Sequence, residues 1–185
     1  AFEGPRTVLY AGTREDTSLY TFDRTTRRIL RTRRLPAAAY GTLLSPDGAR
    51  LYITLGGGHA VAVYDVEKQQ LLASISVESH PNDLVLTRDG RRLFVANANS
   101  NSVSVIDTRL GQVTETLNTA LFPASPAGST PDGLALNADD SQLFIANADN
   151  NCLAVFDVRE ARASRPLGFI PTGWYPTAVA VAGNQ

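Results

Sequence analysis

The sequence predicts an all-β chain folded as a β-propeller of four-stranded antiparallel blades, because three independent markers repeat in step. Apolar runs end in Asp23, Asp65, Asp107 and Asp157, at intervals of 42, 42 and 50 residues. A second apolar run precedes each, at Val8-Leu9-Tyr10, Leu51-Tyr52-Ile53, Leu93-Phe94-Val95 and Leu143-Phe144-Ile145. Tight-turn signatures stand before the last three of these, at Ser45-Pro46-Asp47-Gly48, Thr87-Arg88-Asp89-Gly90 and Asn137-Ala138-Asp139-Asp140. Units of about 40–45 residues, each carrying several short strands, are the sequence signature of a blade.

Taken in order, the repeats span approximately residues 7–39, 40–80, 81–130 and 131–175, with a final strand within 176–182. The first repeat opens on a strand of the second kind at 7–10. The best-formed repeat places its strands at 81–86, 92–97, 102–107 and roughly 113–117, with an Asp-Gly hairpin turn after the first. Strand 92–97 is apolar at Leu93 and Val95 and also at Phe94 and Ala96, so both its faces need cover. Blades stacked around an axis give that cover. A sandwich has no reason to repeat at 42 residues, and a solenoid repeats at a shorter period. The strands fall as three, four, four, four and one. Either the last completes the first blade in a four-bladed ring, or the chain is part of a larger propeller.

Composition narrows the function classes. An apolar fraction of 43% excludes a disordered chain, and no run approaches the ~18–20 apolar residues of a membrane helix. The net charge of −1 hides an uneven distribution. Arg24, Arg27, Arg28, Arg31, Arg33 and Arg34 cluster in one hairpin, and the other 11 basic residues face 18 acidic ones. Cys152 is the only cysteine, which excludes an internal disulfide and a thiolate zinc cluster. The absence of Met and the start at Ala1 fit a processed, exported protein or a piece of a longer one. The expected location is periplasmic or extracellular.

Arg92-Leu-Phe-Val-Ala-Asn97 followed by Ser102-Val-Ser-Val-Ile-Asp107 resembles the YVTN repeat of YncE-like and surface-layer propellers. The resemblance runs from about Thr7 to Val181. Narrower stretches resemble the propeller part of bacterial proteins that join a YncE-like propeller to an alkaline-phosphatase-superfamily domain. They are His80-Pro-Asn-Asp-Leu-Val-Leu, Gly128-Ser-Thr-Pro-Asp-Gly-Leu-Ala-Leu136, Ala146-Asn-Ala-Asp-Asn-Asn151 and Gly168-Phe-Ile-Pro-Thr-Gly-Trp-Tyr-Pro-Thr-Ala-Val179. The resemblance implies about seven blades followed by a metal-dependent hydrolase. No hydrolase motif stands in this sequence, whose only histidines are His59 and His80. The first repeat departs most, lacking the Asn found at Asn97 and Asn147.

In a propeller, the loops entering strand one and those joining strands two and three share a face. That gathers residues 56–59, 80–82, 97–101, 122–132, 147–151 and 173–176 around one mouth of the channel. Candidate ligand or partner contacts there are His59, His80, Asn82, Asn97, Asn99, Asn147, Asn150, Trp174 and Tyr175. The asparagines offer amides to a ligand or serve their own turns, and the aromatic pair stacks on a partner or fills a gap between blades. Two histidines make a thin metal site, and Cys152 occupies a slot that elsewhere holds Ser102, Ala60 and Ser18. Residues 122–131 form a proline-rich insertion on the same face. Arg27, Arg28, Arg31, Arg33 and Arg34 form a patch suited to an anionic partner, nucleic acid included, though without interleaved aromatic residues. The expected function is a non-catalytic binding or scaffold module that presents its mouth to another domain or protein. No catalytic residue, metal or cofactor is expected. The alternatives are a propeller enzyme or enzyme subunit (lactonase, quinoprotein or phosphoesterase-associated) and an anionic-polymer binder.

Overall fold

The computed structural model describes residues 8–122 and 124–182; Thr7, where the first strand was expected to start, lies outside them. Four antiparallel sheets follow one another along the chain. The first holds β1 (Val8–Gly12), β2 (Ser18–Asp23) and β3 (Arg28–Arg34). The second holds β4 (Ala39–Leu44), β5 (Arg50–Leu55), β6 (Ala60–Asp65) and β7 (Gln70–Ser76). The third holds β8 (Pro81–Leu86), β9 (Arg92–Asn97), β10 (Ser102–Asp107) and β11 (Gln112–Asn118). The fourth holds β12 (Pro131–Leu136), β13 (Gln142–Asn147), β14 (Cys152–Asp157) and β15 (Arg165–Pro171). Within each sheet the strands pair in sequence order, so every blade is a meander.

The repeated aspartates are turn caps. Oδ1 of Asp23 accepts the amides of Thr25 and Thr26, Oδ1 of Asp65 that of Lys68, and Oδ1 of Asp107 those of Arg109 and Leu110. Asp47, Asp89 and Asp139 do the same for the preceding hairpin, accepting the amides of Ala49, Arg91 and Ser141. A short carboxylate that bonds a nearby amide fixes the reversal locally, which is why Asp recurs at the period of the blade.

Side chains alternate between two neighbours. Leu93 and Val95 of β9 join Tyr52, Val61 and Val63 of the second blade, whereas Phe94 and Ala96 join Leu143, Ile145 and Phe156 of the fourth. A third cluster packs Tyr10 and Leu19 on Leu51, Ile53 and Tyr64. The core is therefore a series of layers between blades. On the outermost strands a β-bulge recurs at one position, opposite Thr21/Phe22, Val63/Tyr64, Val105/Ile106 and Val155/Phe156. Bulges twist an exposed edge away from further pairing.

The innermost strands β4, β8 and β12 lie side by side. Their approach explains Gly41, where a Cβ would stand 2.5 Å from the Asn82 carbonyl oxygen; Gly133 of β12 is crowded in the same way by the chain at Ala178, whose Cα a Cβ would meet at 2.8 Å. The expected final strand at 176–182 is a correction: residues 176–182 form no strand ladder. Thr177 and Ala178 instead pack against Gly133 of β12. Neighbouring innermost strands meet by packing, and ladder bonds come only from a second strand of the same blade. No helix among the described residues is long and apolar enough to cross a membrane.

Candidate functional site

Backbone hydrogen bonds collect the expected loops at one mouth. The carbonyls of His80 and Ser79 accept the amides of Ala98 and Asn99, and those of Thr130 and Ser129 accept Ala148 and Asp149. One residue before each third strand adopts the left-handed region: Thr17, His59, Asn101 and Asn151, with φ of 51°, 49°, 49° and 53°. His80, Thr130 and Tyr175 do likewise before the innermost strands, at 58°, 49° and 52°. Two of the asparagines thus stand where the backbone favours Asn.

The predicted residues divide into frame and surface. Asn97 and Asn147 are fully buried, which corrects their assignment to a ligand-contacting face. Nδ2 of Asn97 donates to Oγ of Ser102 and Ser104, and Nδ2 of Asn147 donates to the carbonyl of Thr119. Cys152 is buried in the slot equivalent to Ser102, and burial pushes its thiol pKa up, away from a reactive thiolate. His59 is exposed after the 3-10 turn at Gly56–Gly58, with its carbonyl accepting the amide of Val77. His80 is half-buried, edge-on to Tyr40 at 4.8 Å. Asn150 donates to Oγ of Ser129, and Asn99 is exposed. Trp174 is 89% exposed and Tyr175 43%, so the tryptophan fills no gap between blades here.

Two asparagines outside the predicted set do the anchoring. Oδ1 of Asn101 accepts the amides of Gly128 and Ser129 at 2.8 and 2.6 Å, and its Nδ2 donates to the Pro126 carbonyl at 2.8 Å. The inserted loop is thereby tied down while Phe122 stays 71% exposed. Asn151 acts equivalently one blade on. Its Oδ1 accepts the Tyr175 amide at 2.8 Å and its carbonyl the Thr172 amide at 2.9 Å, on either side of Trp174. Their shared position before the third strand was the available signal.

Below the rim, a cleft of about 330 Å³ is walled by Tyr40, Gly41, Asn82, Asp83, Asp132, Gly133 and residues 177–179. Tyr40, Asn82 and Asp132 occupy the second position of successive innermost strands, and Thr177 the matching place after Pro176, a polar series that the repeat alignment contained. Nδ2 of Asn82 donates to Oδ1 of Asp132. Asp83 accepts the Leu134 amide at 2.8 Å; burial raises its pKa, the backbone bonds oppose that, and the nearby Asp132 adds to the rise. Burial also raises Asp132, against its bond from Asn82. Arg14 covers Tyr40, with its guanidinium carbon 4.1 Å from the ring centre and Nη2 donating to the hydroxyl at 2.7 Å. Among the described residues no group of three or more His, Cys, Asp or Glu is placed to hold a metal.

Meandering sheets, one of three strands and three of four, layered face to face around side-by-side innermost strands, define a β-propeller with its polar loops at one mouth. A family profile for the YNCE-like beta-propeller matches residues 5–179. The chain belongs to that family. Among solved structures it is similar to a chain of Kuenenia stuttgartiensis hydrazine synthase, at 14% identity and a TM-score of 0.54 over 95% of this chain and 86% of that one. At that identity the likeness is one of fold. No curated protein matches.

Proposed function

We propose that this chain is a binding module without chemistry of its own, which takes a protein segment across the channel mouth on Phe122 and Trp174. The carrying observation is that two large aromatic side chains stand in solvent on loops held by the side chains of equivalent residues, Asn101 and Asn151. Aromatic anchors on pre-ordered loops lose little conformational entropy on binding and dominate interface energetics. The carboxylates at this mouth support the reading, because they have structural partners. Asp83 holds the Leu134 amide, Asp132 accepts from Asn82, and Asp149 accepts from Thr130.

Trp174 is the only tryptophan, so its emission reports occupancy of the mouth. An arrayed peptide library is screened for segments that shift this emission, and the hits are measured again by calorimetry. Trp174→Ala and Phe122→Ala are each expected to weaken a hit by about tenfold or more while leaving the melting temperature unchanged. Hits that bind both variants as tightly as the parent place the binding surface elsewhere and overturn the reading.

A further inference from the structure

The arginine-rich hairpin lies at the outer rim of the first blade, and its geometry is more specific than its composition. β3 pairs only with β2, so its other edge presents unpaired backbone groups. Its register matches Arg33 with Leu19 and Arg31 with Thr21, and after the bulge at Leu30 it matches Arg28 with Asp23. Cross-strand partners share a face, and the bulge resets the alternation. Arg28, Arg31 and Arg33 therefore all stand on the face that carries Leu19 and Thr21. That face looks toward the second blade, where Leu19 packs on Leu51, Ile53 and Tyr64. Arg34 stands on the opposite face, matched with Ser18, and Arg27 starts the strand from a left-handed turn.

None of Arg27, Arg28, Arg31, Arg33 and Arg34 has an ion-pair partner among the described residues. Nε of Arg33 is buried with no acceptor, an unmade hydrogen bond on a charged group. Protection of an open edge does not account for this. β7, the outer strand of the next blade, reads Gln-Leu-Leu-Ala-Ser-Ile-Ser and carries no charge. A bulge is enough there, whereas β11 also carries Glu115 and β15 carries Arg165 with Pro166 and Pro171.

We propose that the free edge of β3 accepts an extended acidic peptide as an added strand, with carboxylates at alternate positions facing Arg28, Arg31 and Arg33. Strand addition uses backbone bonds for affinity and alternate side chains for selection. Arg31 and Arg33 are two residues apart, about 6.5–7 Å on an extended chain, the repeat of every second side chain on the added strand. Guanidinium groups pair with carboxylates through two parallel hydrogen bonds. A single-stranded nucleic acid fits less well. Bases need exposed rings to stack on; Tyr10 and Tyr64 on this side are buried between the blades, and Tyr20 and Phe22 are matched with Thr32 and Ile29 on the other face of the sheet.

The test measures fluorescence anisotropy with a labelled peptide carrying Glu at every second position and Thr between. Comparators are an isomer with all Glu at one end, an N-methylated version that cannot form edge hydrogen bonds, and an oligothymidylate of equal charge. The alternating peptide is expected to bind about tenfold more tightly than its isomer and its N-methylated form. Arg31→Ser with Arg33→Ser should remove that preference, and Lys at both positions should restore it in part. Circular dichroism and melting confirm that each variant is folded. Equal binding of the peptide isomers would reduce the patch to unspecific charge, and tighter binding of the oligothymidylate would assign it to nucleic acid. Either result overturns the proposal, as does no binding at low salt. None of these outcomes depends on the mouth face.

Discussion

At Asp83, burial and a backbone hydrogen bond pull in opposite directions. Burial wins and the pKa rises, with Asp132 contributing. A carboxyl that binds its proton more readily folded than unfolded adds stability below its unfolded pKa and loses it as pH climbs through the folded value. The charged form is thus the costly one at neutral pH. Asp83→Asn keeps an oxygen for the Leu134 amide and has no charge to bury. Melts across a pH series should show this variant at least as stable as the parent at neutral pH, the gap closing as pH falls through the raised pKa. Asp83→Ala leaves the amide unpaired and should cost about 1–3 kcal/mol. A neutral-pH loss as large in Asn as in Ala would show that the charge itself holds the third and fourth blades together. The turn cap Asp157 runs the other way. Arg159 holds Asp157 at about 2, so that cap is released only in strong acid.

The innermost strands show what an element demands beyond its own pairing. β4 and β8 come so close that a Cβ on Gly41 would meet the Asn82 carbonyl oxygen at 2.5 Å, whereas one on Gly57 meets nothing within 4 Å. Oγ1 of Thr54 bridges the two strands, accepting the Gly41 amide at 2.7 Å and donating to the Asn82 carbonyl at 2.8 Å. Gly41→Ala must push the strands apart and is expected to cost about 1–3 kcal/mol. Gly57→Ala should change stability by less than about 0.5 kcal/mol, and denaturant melts of the pair check both. Equal effects would show that the close approach is absent in solution. This contact explains a limit of the sequence reading. Strands within a blade were legible because each is bounded by its own turn residues, as at Asp89-Gly90 and Asp107. The segment beginning at Pro176 has the pattern of a strand, but among the described residues no strand pairs with it.

For the whole molecule, repetition made the frame legible and exposure decided the site. One period located the blades because each repeat solves the same packing problem, with Leu93 and Phe94 serving opposite neighbours. The loops at the mouth were also placed by the repeat. It could not separate Asn97, which is buried at the end of β9, from Asn99, which is exposed in the turn that follows, since the two asparagines stand two residues apart. Nor did composition single out Asn101 and Asn151 as anchors, because their partners lie 25 to 28 and 24 residues away along the chain.

The claim that joins these scales is that a rigid frame holds an aromatic side chain out in solvent at the channel mouth. Acrylamide quenching of the single tryptophan tests it directly. The structure predicts emission close to that of tryptophan in water and ready quenching, with Asn151→Ala narrowing the emission shift seen on binding a peptide hit. Blue-shifted emission shielded from acrylamide in the free protein would put Trp174 between blades, and the mouth would lose its anchor.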